Sequence, residues 1–402
     1  MRSTRARNGI LCLAVAGAVV ATFMSVGSVA NADPVFGFRD SAGQIPVPAG
    51  TGNAVPVGYV RDAQGTTHAA LLLGAHMTRV QYLTRAHGSS HWTSHQVPGS
   101  AMRNISAARL VLSLDRRHEF LLMVVGHELY VAKKRTTASN FPPITAANRT
   151  ATVVAGGLPG ESGSLPQAVG LPHGRLAVLY VGNRPVANQP RLLSVLIVRP
   201  GHLLDRSNLP ASREGEEDGG LARDSMTGDL IAIGDTGSDS IAAWIRRPGR
   251  TASWSNPQLI GLRTFDGVGQ QVSSVTSTDG KVWVGLWRDR ESGGDEGPDV
   301  PLGVYVAHST LPTVGGAWVH PRRVPNTGPR SSHLLLTAEP GSSSLQVMYQ
   351  SRGLNHGLMH QTRSPKGKWS TPNIVTRHHW DTPLALVLTN GRGYRYMYVR
   401  QS

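Results

Sequence analysis

Residues 367–376 read GKWSTPNIVT. A glycine turn, a tryptophan, a proline and then Ile374 and Val375 before polarity returns make the pattern of a short strand entered through a tight turn. The pattern recurs. Trp254-Ser255-Asn256-Pro257 repeats Trp369-Ser370-Thr371-Pro372 in full, Trp318-Val319-His320-Pro321 keeps the Trp and the Pro, and Trp92-Thr93-Ser94 is a looser copy. The tryptophans stand 162, 64 and 51 residues apart, which fits a unit of about 54 residues. Repeats of that length mean a propeller or an array of similar units.

A second marker has the same period. Turn-forming clusters precede apolar runs in DAQGTTHAALLLG, DRRHEFLLMVVG, PHGRLAVLYVG, TGDLIAIG, TDGKVWVGLW, PGSSSLQVMY and TNGRGYRYMYV. With Gln64, Arg117, His173, Thr227, Asp279, Gly341 and Asn390 as turn centres, the spacings are 53, 56, 54, 52, 62 and 49 residues. Asp-Gly and Asn-Gly pairs supply the positive φ that tight hairpins require, and the runs after them are short, β-branched, leucine-rich and aromatic, as buried strands are. Helical periodicity is nearly absent, and 46 glycines and 26 prolines suit many tight connections.

The seventh turn lies twelve residues from the end, so the last unit lacks its two outer strands. Two short strand segments near the start, VFGF at 35–38 and QIPV at 44–47, supply them. Pairing both chain ends in one blade closes the ring and removes free edges. The expected fold is therefore all-β: a seven-bladed β-propeller, with six blades as the alternative, its last blade closed by N- and C-terminal strands. In that reading Trp369 begins the outermost strand of a blade and packs its ring against the next blade.

Residues 1–32 are set apart from the fold. Arg2, Arg5 and Arg7 precede an apolar stretch from Ile10 to Val26, and Ala30-Asn31-Ala32 is the small-x-small pattern of a cleavage site. The expected division is a secretory signal peptide over 1–32 and a single propeller domain over 33–402, exported by the general secretory route and extracellular, because a twin-arginine signal is absent. Nothing after 32 reaches the ~20 apolar residues of a membrane span, so none is expected after cleavage. The one cysteine, Cys12, lies in the leader, which leaves the rest without disulfides; a chain of this size buries a sufficient core without them. Losing three arginines and no acids lowers the formal charge from +15 to +12. A basic surface favours anionic partners. No run of four basic residues marks a nucleic-acid-binding arm, so nucleic acid is not the expected partner.

The stretch VYVAHSTLPTVGGAWVHPRRV (304–324) resembles the bacterial-neuraminidase repeat of the sialidase-like propellers, with Ser309, Gly316 and Trp318 standing for the Ser, Gly and Trp of its turn. SPKGKWSTP keeps Ser364, Gly367 and Trp369, with Lys366 where that repeat has aspartate, and STDGKVW at 277–283 is similar to the same box but one residue short. The unit SSLQVMYQSRGLNHGLMHQTRSPKGKWSTP is similar to repeats of seven-bladed bacterial sugar-binding lectins. The resemblance implies a propeller acting on or binding sugars. In sialidases three arginines hold a carboxylate, and a Tyr-Glu pair and an Asp do the chemistry. Their Phe-Arg-Ile-Pro motif is not found here; FGFRD at 36–40 is a partial echo.

In a propeller one face of the central channel is the usual ligand site. The segments leaving the second strand of each unit carry His76, His127, Arg184, Asp235, Arg288 with Asp289, Arg352 and Arg400. LWRD, YQSR and YVR put arginines in similar places in three consecutive units, and guanidinium forks suit carboxylate or sulfate recognition. Between units, RTFDG holds Asp266, RHHWD holds His379, Trp380 and Asp381, and Arg223-Asp224 forms a third polar loop. Asp266, Asp381 and His379 are the candidate acids and bases, and Trp380 is a stacking platform for a sugar ring. The histidines lack metal spacing, so no metal and no cofactor is expected. Two acidic stretches, at 288–299 and 212–220, read as solvated excursions, with calcium held through Asp289, Asp295, Glu296 and Asp299 as the alternative for the first.

The expected function is binding of extracellular, anionic glycan, polysaccharide or glycoconjugate, by a monomer. Two alternatives stay open: a glycoside hydrolase of sialidase type or a polysaccharide lyase, and a protein-interaction scaffold.

Overall fold

Every apolar run singled out by its preceding turn becomes the second strand of a four-stranded antiparallel sheet. The computed structural model describes residues 37–40, 43–47, 54–74, 78–101, 105–153, 167–181, 192–212, 220–224, 227–236, 240–249, 253–263, 273–276, 281–288, 303–309, 318–338, 344–352, 356–378, 382–388 and 394–400.

The chain begins with β1 (Gly37–Asp40) and β2 (Gly43–Gln44). Blade 1 is β3 (Ala54–Arg61), β4 (Thr67–Leu73), β5 (Arg79–Arg85) and β6 (Thr93–Gln96). Blade 2 is β7 (Ile105–Leu112), β8 (His118–Val125), β9 (Glu128–Arg135) and β10 (Arg149–Thr152). Blade 3 is β11 (Gln167–Leu171), β12 (Arg175–Val181), β13 (Leu193–Arg199) and β14 (His202–Asn208). Blade 4 is β15 (Gly220–Arg223), β16 (Leu230–Asp235), β17 (Ser240–Arg246) and β18 (Gln258–Arg263). Blade 5 is β19 (Ser273–Thr276), β20 (Val282–Arg288), β21 (Gly303–Ser309) and β22 (Trp318–Arg323). Blade 6 is β23 (Ser331–Ala338), β24 (Leu345–Ser351), β25 (Gly357–Arg363) and β26 (Asn373–Thr376).

Blade 7 mixes the two chain ends: β27 (Thr382–Leu388) and β28 (Tyr394–Arg400) are followed outward by β1 and β2. Gly37 opposes Arg400 and Asp40 opposes Met397, so the closure expected from the sequence is present, with strands at 37–40 and 43–44 in place of 35–38 and 44–47. Each innermost strand touches the next, β3 to β7 and onward to β27, and β27 touches β3. The described residues thus form a closed ring of seven blades, a β-propeller.

Burial follows from this stacking. β4 is buried along its whole length, β3 alternates along its second half, and β14 is exposed or half-buried throughout. A middle strand is covered on both faces by neighbouring blades, which is why its sequence is a continuous apolar run and not an alternating one. Each fully buried Leu, Ile or Val there contributes roughly 1.5–3 kcal/mol. One apolar cluster spans each blade interface around the ring. Where the inner strands converge, only glycine fits. A Cβ at Gly58 would stand 2.5 Å from Leu110 Cβ, and one at Gly170 would stand 2.6 Å from the Leu112 carbonyl oxygen.

The repeated tryptophans pack between blades, but against the preceding blade and not the next. Trp92 joins the cluster holding Ile45 and Met397 of blade 7, Trp254 joins blade 3, Trp318 blade 4 and Trp369 blade 5. Trp369 forms an isolated bridge with Arg363 and does not begin the outer strand, which starts at Asn373. The delay follows from Pro372, which has no N–H to give to a ladder.

A series of cations makes the same backward contact. Arg85, Lys134, Arg246 and Arg363 take one register position, opposite the second-strand residues Thr67, Glu119, Leu230 and Leu345. Arg85 pairs with Asp40 of blade 7, Arg246 with Asp205 of blade 3 at 2.5 Å, and Arg363 lies over the Trp283 ring of blade 5 at 4.9 Å. Lys134 lies 4.6 Å over the Tyr82 ring of blade 1.

Candidate functional site

The alternating strand directions sort the connections onto two faces. Turns between first and second strands share one face with those between third and fourth. Turns between second and third strands share the other with the segments joining blades. Of the expected ligand residues, His127, Arg288, Arg352 and Arg400 fall on this second face.

Arg288 ends β20 opposite Gly303, and Arg400 ends β28 opposite Gly37. Both therefore stand at the same register position, across from the first residue of a third strand. In blade 6 that position is Ser351, opposite Gly357, and Arg352 follows it. The expected trio of equivalent arginines is thus a pair of equivalent positions with Arg352 displaced by one residue. Alternation along a strand turns such a neighbour toward the opposite side. Arg352 is half-buried, and its backbone N–H donates to the Arg330 carbonyl at 2.8 Å. His127 is exposed in the two-residue turn between β8 and β9, and its carbonyl accepts from Val153 N at 2.7 Å. His76, Arg184, Asp266, His379, Trp380 and Asp381 lie outside the described residues, as does the acidic stretch after Arg288.

Arg223-Asp224 does not join two blades. Arg223 ends β15 and Asp224 opens the turn to β16 on the opposite face, with no exposed surface. Its N–H donates to the Asp229 carbonyl at 2.8 Å, and its carboxylate accepts from Thr227 N at 3.3 Å. Blade 1 repeats the device. Arg61 ends β3, and Asp62 Oδ1 accepts from Thr66 N at 2.8 Å, a side chain closing its own turn. The repeated Arg-Asp, in VRDAQG and ARDSMTG, was the sequence signal for this.

Asp62 also leads into the densest cluster of ionisable groups among those whose contacts are described. His68 Nε2 lies 3.2 Å from Asp62 Oδ2, and His68 Nδ1 lies 2.6 Å from the Tyr82 hydroxyl and 3.1 Å from Glu119 Oε1. Tyr82 donates to Glu119 Oε2 at 2.8 Å, and Lys134 Nζ donates to Glu119 Oε1 at 3.0 Å and to the Ala138 carbonyl at 2.9 Å. Burial and the Glu119 carboxylate hold the Tyr82 phenol far above its ordinary range, so it remains a donor. Burial lowers the Lys134 ammonium, against the pull of Glu119. None of the five is more than 5% exposed, so no substrate reaches them, and the cluster works as a polar rivet between blades 1 and 2. A titratable residue inside an otherwise apolar run, His68 in THAALLL and Glu119 in HEFLLMVV, was the readable sign.

Blade 6 holds a second buried polar group. His360 Nε2 meets Gln346 Oε1 at 2.8 Å, Thr362 donates to the same oxygen at 2.7 Å, and Tyr349 donates to Gln361 Oε1 at 3.0 Å. Burial pushes the His360 imidazolium down to about 4, so the ring is neutral at physiological pH. Among the described residues no three His, Cys, Asp or Glu side chains group to hold a metal ion, and no helix is long and apolar enough to cross a membrane.

No protein-family model matches the chain, and no curated protein matches it in sequence. Solved structures match in fold. The chain is similar to the BP39L lectin from Burkholderia pseudomallei, at a TM-score of 0.56 and 13% identity over 83% of this chain and 88% of that one. AofleA from Arthrobotrys oligospora gives a TM-score of 0.49 at 13% identity, over 80% and 85% of the two chains. The lectin of Aleuria aurantia, a six-bladed β-propeller with a fucose recognition mode, gives 0.46 at 12% identity, over 81% and 95%. At such identities the likeness is one of fold.

Proposed function

We propose that this propeller binds extracellular glycans, anionic ones by preference, on the face carrying the second-to-third turns and the segments between blades. The observation behind this reading is the register equivalence of Arg288 and Arg400, two guanidinium-bearing positions at one end of blades 5 and 7, with Arg352 beside the same position in blade 6 between them. Guanidinium forks match carboxylate and sulfate groups in pairs. A formal charge of +15 for the full sequence, +12 without residues 1–32, adds a long-range pull on anions. The leader-like residues 1–32 support export, the Ser364, Gly367 and Trp369 pattern supports a sialidase-like repeat lineage, and the like-folded BP39L is itself a lectin.

The test is a glycan-array profile of the protein without residues 1–32, at low and at high salt, with an Arg288→Ala/Arg400→Ala variant beside it. Selective binding that survives salt and is lost in the variant is the expected result. Binding confined to polyanions, abolished by salt and indifferent to the variant, would leave only diffuse charge attraction and overturn the reading.

A further inference from the structure

The opposite face of the ring carries a concentration of positive charge that the glycan site does not use. The turn between β7 and β8 exposes Arg116 and Arg117, and β8 opens with half-buried His118. Across the ladder His118 opposes exposed Arg135, and half-buried Lys133 opposes Phe120, its ammonium 5.7 Å from that ring. Lys133 reaches on toward blade 3: a Cβ built on Gly174 would stand 2.9 Å from its Nζ, and exposed His173 precedes that glycine in the turn. The one acid in the turn, Asp115, is engaged locally, accepting from Ser113 Oγ at 2.5 Å and from Arg117 N at 3.1 Å. His118 registers the field. Burial and then Lys133 lower its affinity for a proton, Arg135 and Arg117 add to this, and Asp115 opposes it.

We propose that Arg116, Arg117, His118, Lys133, Arg135 and His173 form a docking strip for a linear sulfated polysaccharide, running from blade 2 to blade 3. The guanidinium and ammonium groups of Arg116, Arg117, Lys133 and Arg135, with the His118 and His173 rings beside them, match a chain whose charges recur along its length. The strip offers no exposed aromatic ring among its described residues, which a single-stranded nucleic acid would need for base stacking. The inference is independent of the glycan site above, because it uses other residues on the other face.

The experiment is titration with dextran sulfate as the probe, across a salt series, of three proteins: the unaltered chain, Arg117→Glu/Arg135→Glu, and Lys366→Glu/Lys368→Glu. The last pair carries exposed lysines of the turn between β25 and β26 on the same face of blade 6 and changes the net charge equally. The strip variant should bind at least tenfold more weakly with a shallower salt dependence, and the blade 6 variant should bind as the unaltered chain does. Equal loss in both variants would reduce the effect to net charge and overturn the proposal. So would equally tight binding of a single-stranded DNA of matched charge. Folding is checked by melting temperature in each variant. Retained array binding in the strip variant keeps the two sites distinguishable.

Discussion

Arg85 of blade 1 grips Asp40, a residue of the short N-terminal strand that completes blade 7, its Nη1 donating to Oδ1 at 3.0 Å and its Nη2 in ion-pair contact with Oδ2. Tyr59 donates to the same carboxylate at 3.1 Å, and Trp92 covers the guanidinium at 4.6 Å. The pair is the polar fastening of the ring at the blade where its two ends meet.

Asp40→Asn should therefore weaken the closure out of proportion to its size. It leaves Arg85, 2% exposed, without its counter-charge, a loss of about 3–5 kcal/mol. Chemical denaturation reads the loss, and limited proteolysis should release the N-terminal strand first. An unchanged midpoint would show that the pair contributes nothing to closure.

Convergence at the axis gives a steric prediction. Gly58→Ala brings a methyl group to 2.5 Å from Leu110 Cβ and should cost about 1–3 kcal/mol. Gly328→Ala meets nothing within 4 Å and should shift the melting temperature little. If the two variants melt together, the inner strands have room that the structure does not show.

Trp254 separates packing from hydrogen bonding. It is 7% exposed in the blade 3–4 cluster, and its indole N–H donates to Ser207 Oγ at 2.9 Å. Trp254→Ala should cost about 3–5 kcal/mol, as large core truncations do. Ser207→Ala keeps the ring in place and removes one bond, a loss nearer 0.5–1.5 kcal/mol by denaturant midpoint. The opposite ranking would assign the stitch to the bond and not to the ring.

His360 makes stability depend on pH. Its imidazolium is pushed down to about 4 by burial, against about 6.5 in an unfolded chain, so the unfolded state takes up the proton first. Stability is complete above 6.5 and declines as pH falls from 6.5 towards 4, by on the order of 2 kcal/mol between pH 7 and pH 5. A His360→Gln variant should show a flatter profile over that window. Parallel profiles for the two proteins would place the pH dependence elsewhere.

The repeat was legible in the sequence because turn chemistry is local. Gln64, Arg117, His173 and Thr227 all fall between first and second strands, as their flanking residues require. The direction in which Trp369 packs was not legible, since a side chain at a strand entrance meets whichever blade stacks there. Nor was the one-residue offset of Arg352, which is set by where β25 begins at Gly357. Arg223-Asp224 read as a segment between blades because β15 is only four residues long and hard to see ahead of its turn.

The sequence by itself determined a seven-unit all-β ring whose last blade borrows from both chain ends, because period, turn residues and apolar runs are properties of neighbours along the chain. Only the tertiary structure decided which charges are used up inside. Asp62, His68, Glu119 and Lys134 come from four separate strand or turn positions, and their burial depends on blade 1 facing blade 2. Linear order does not record that facing. The stacking of blades converts apparent surface chemistry into interior fastening, and it leaves the cations at the turns of blade 2 outside.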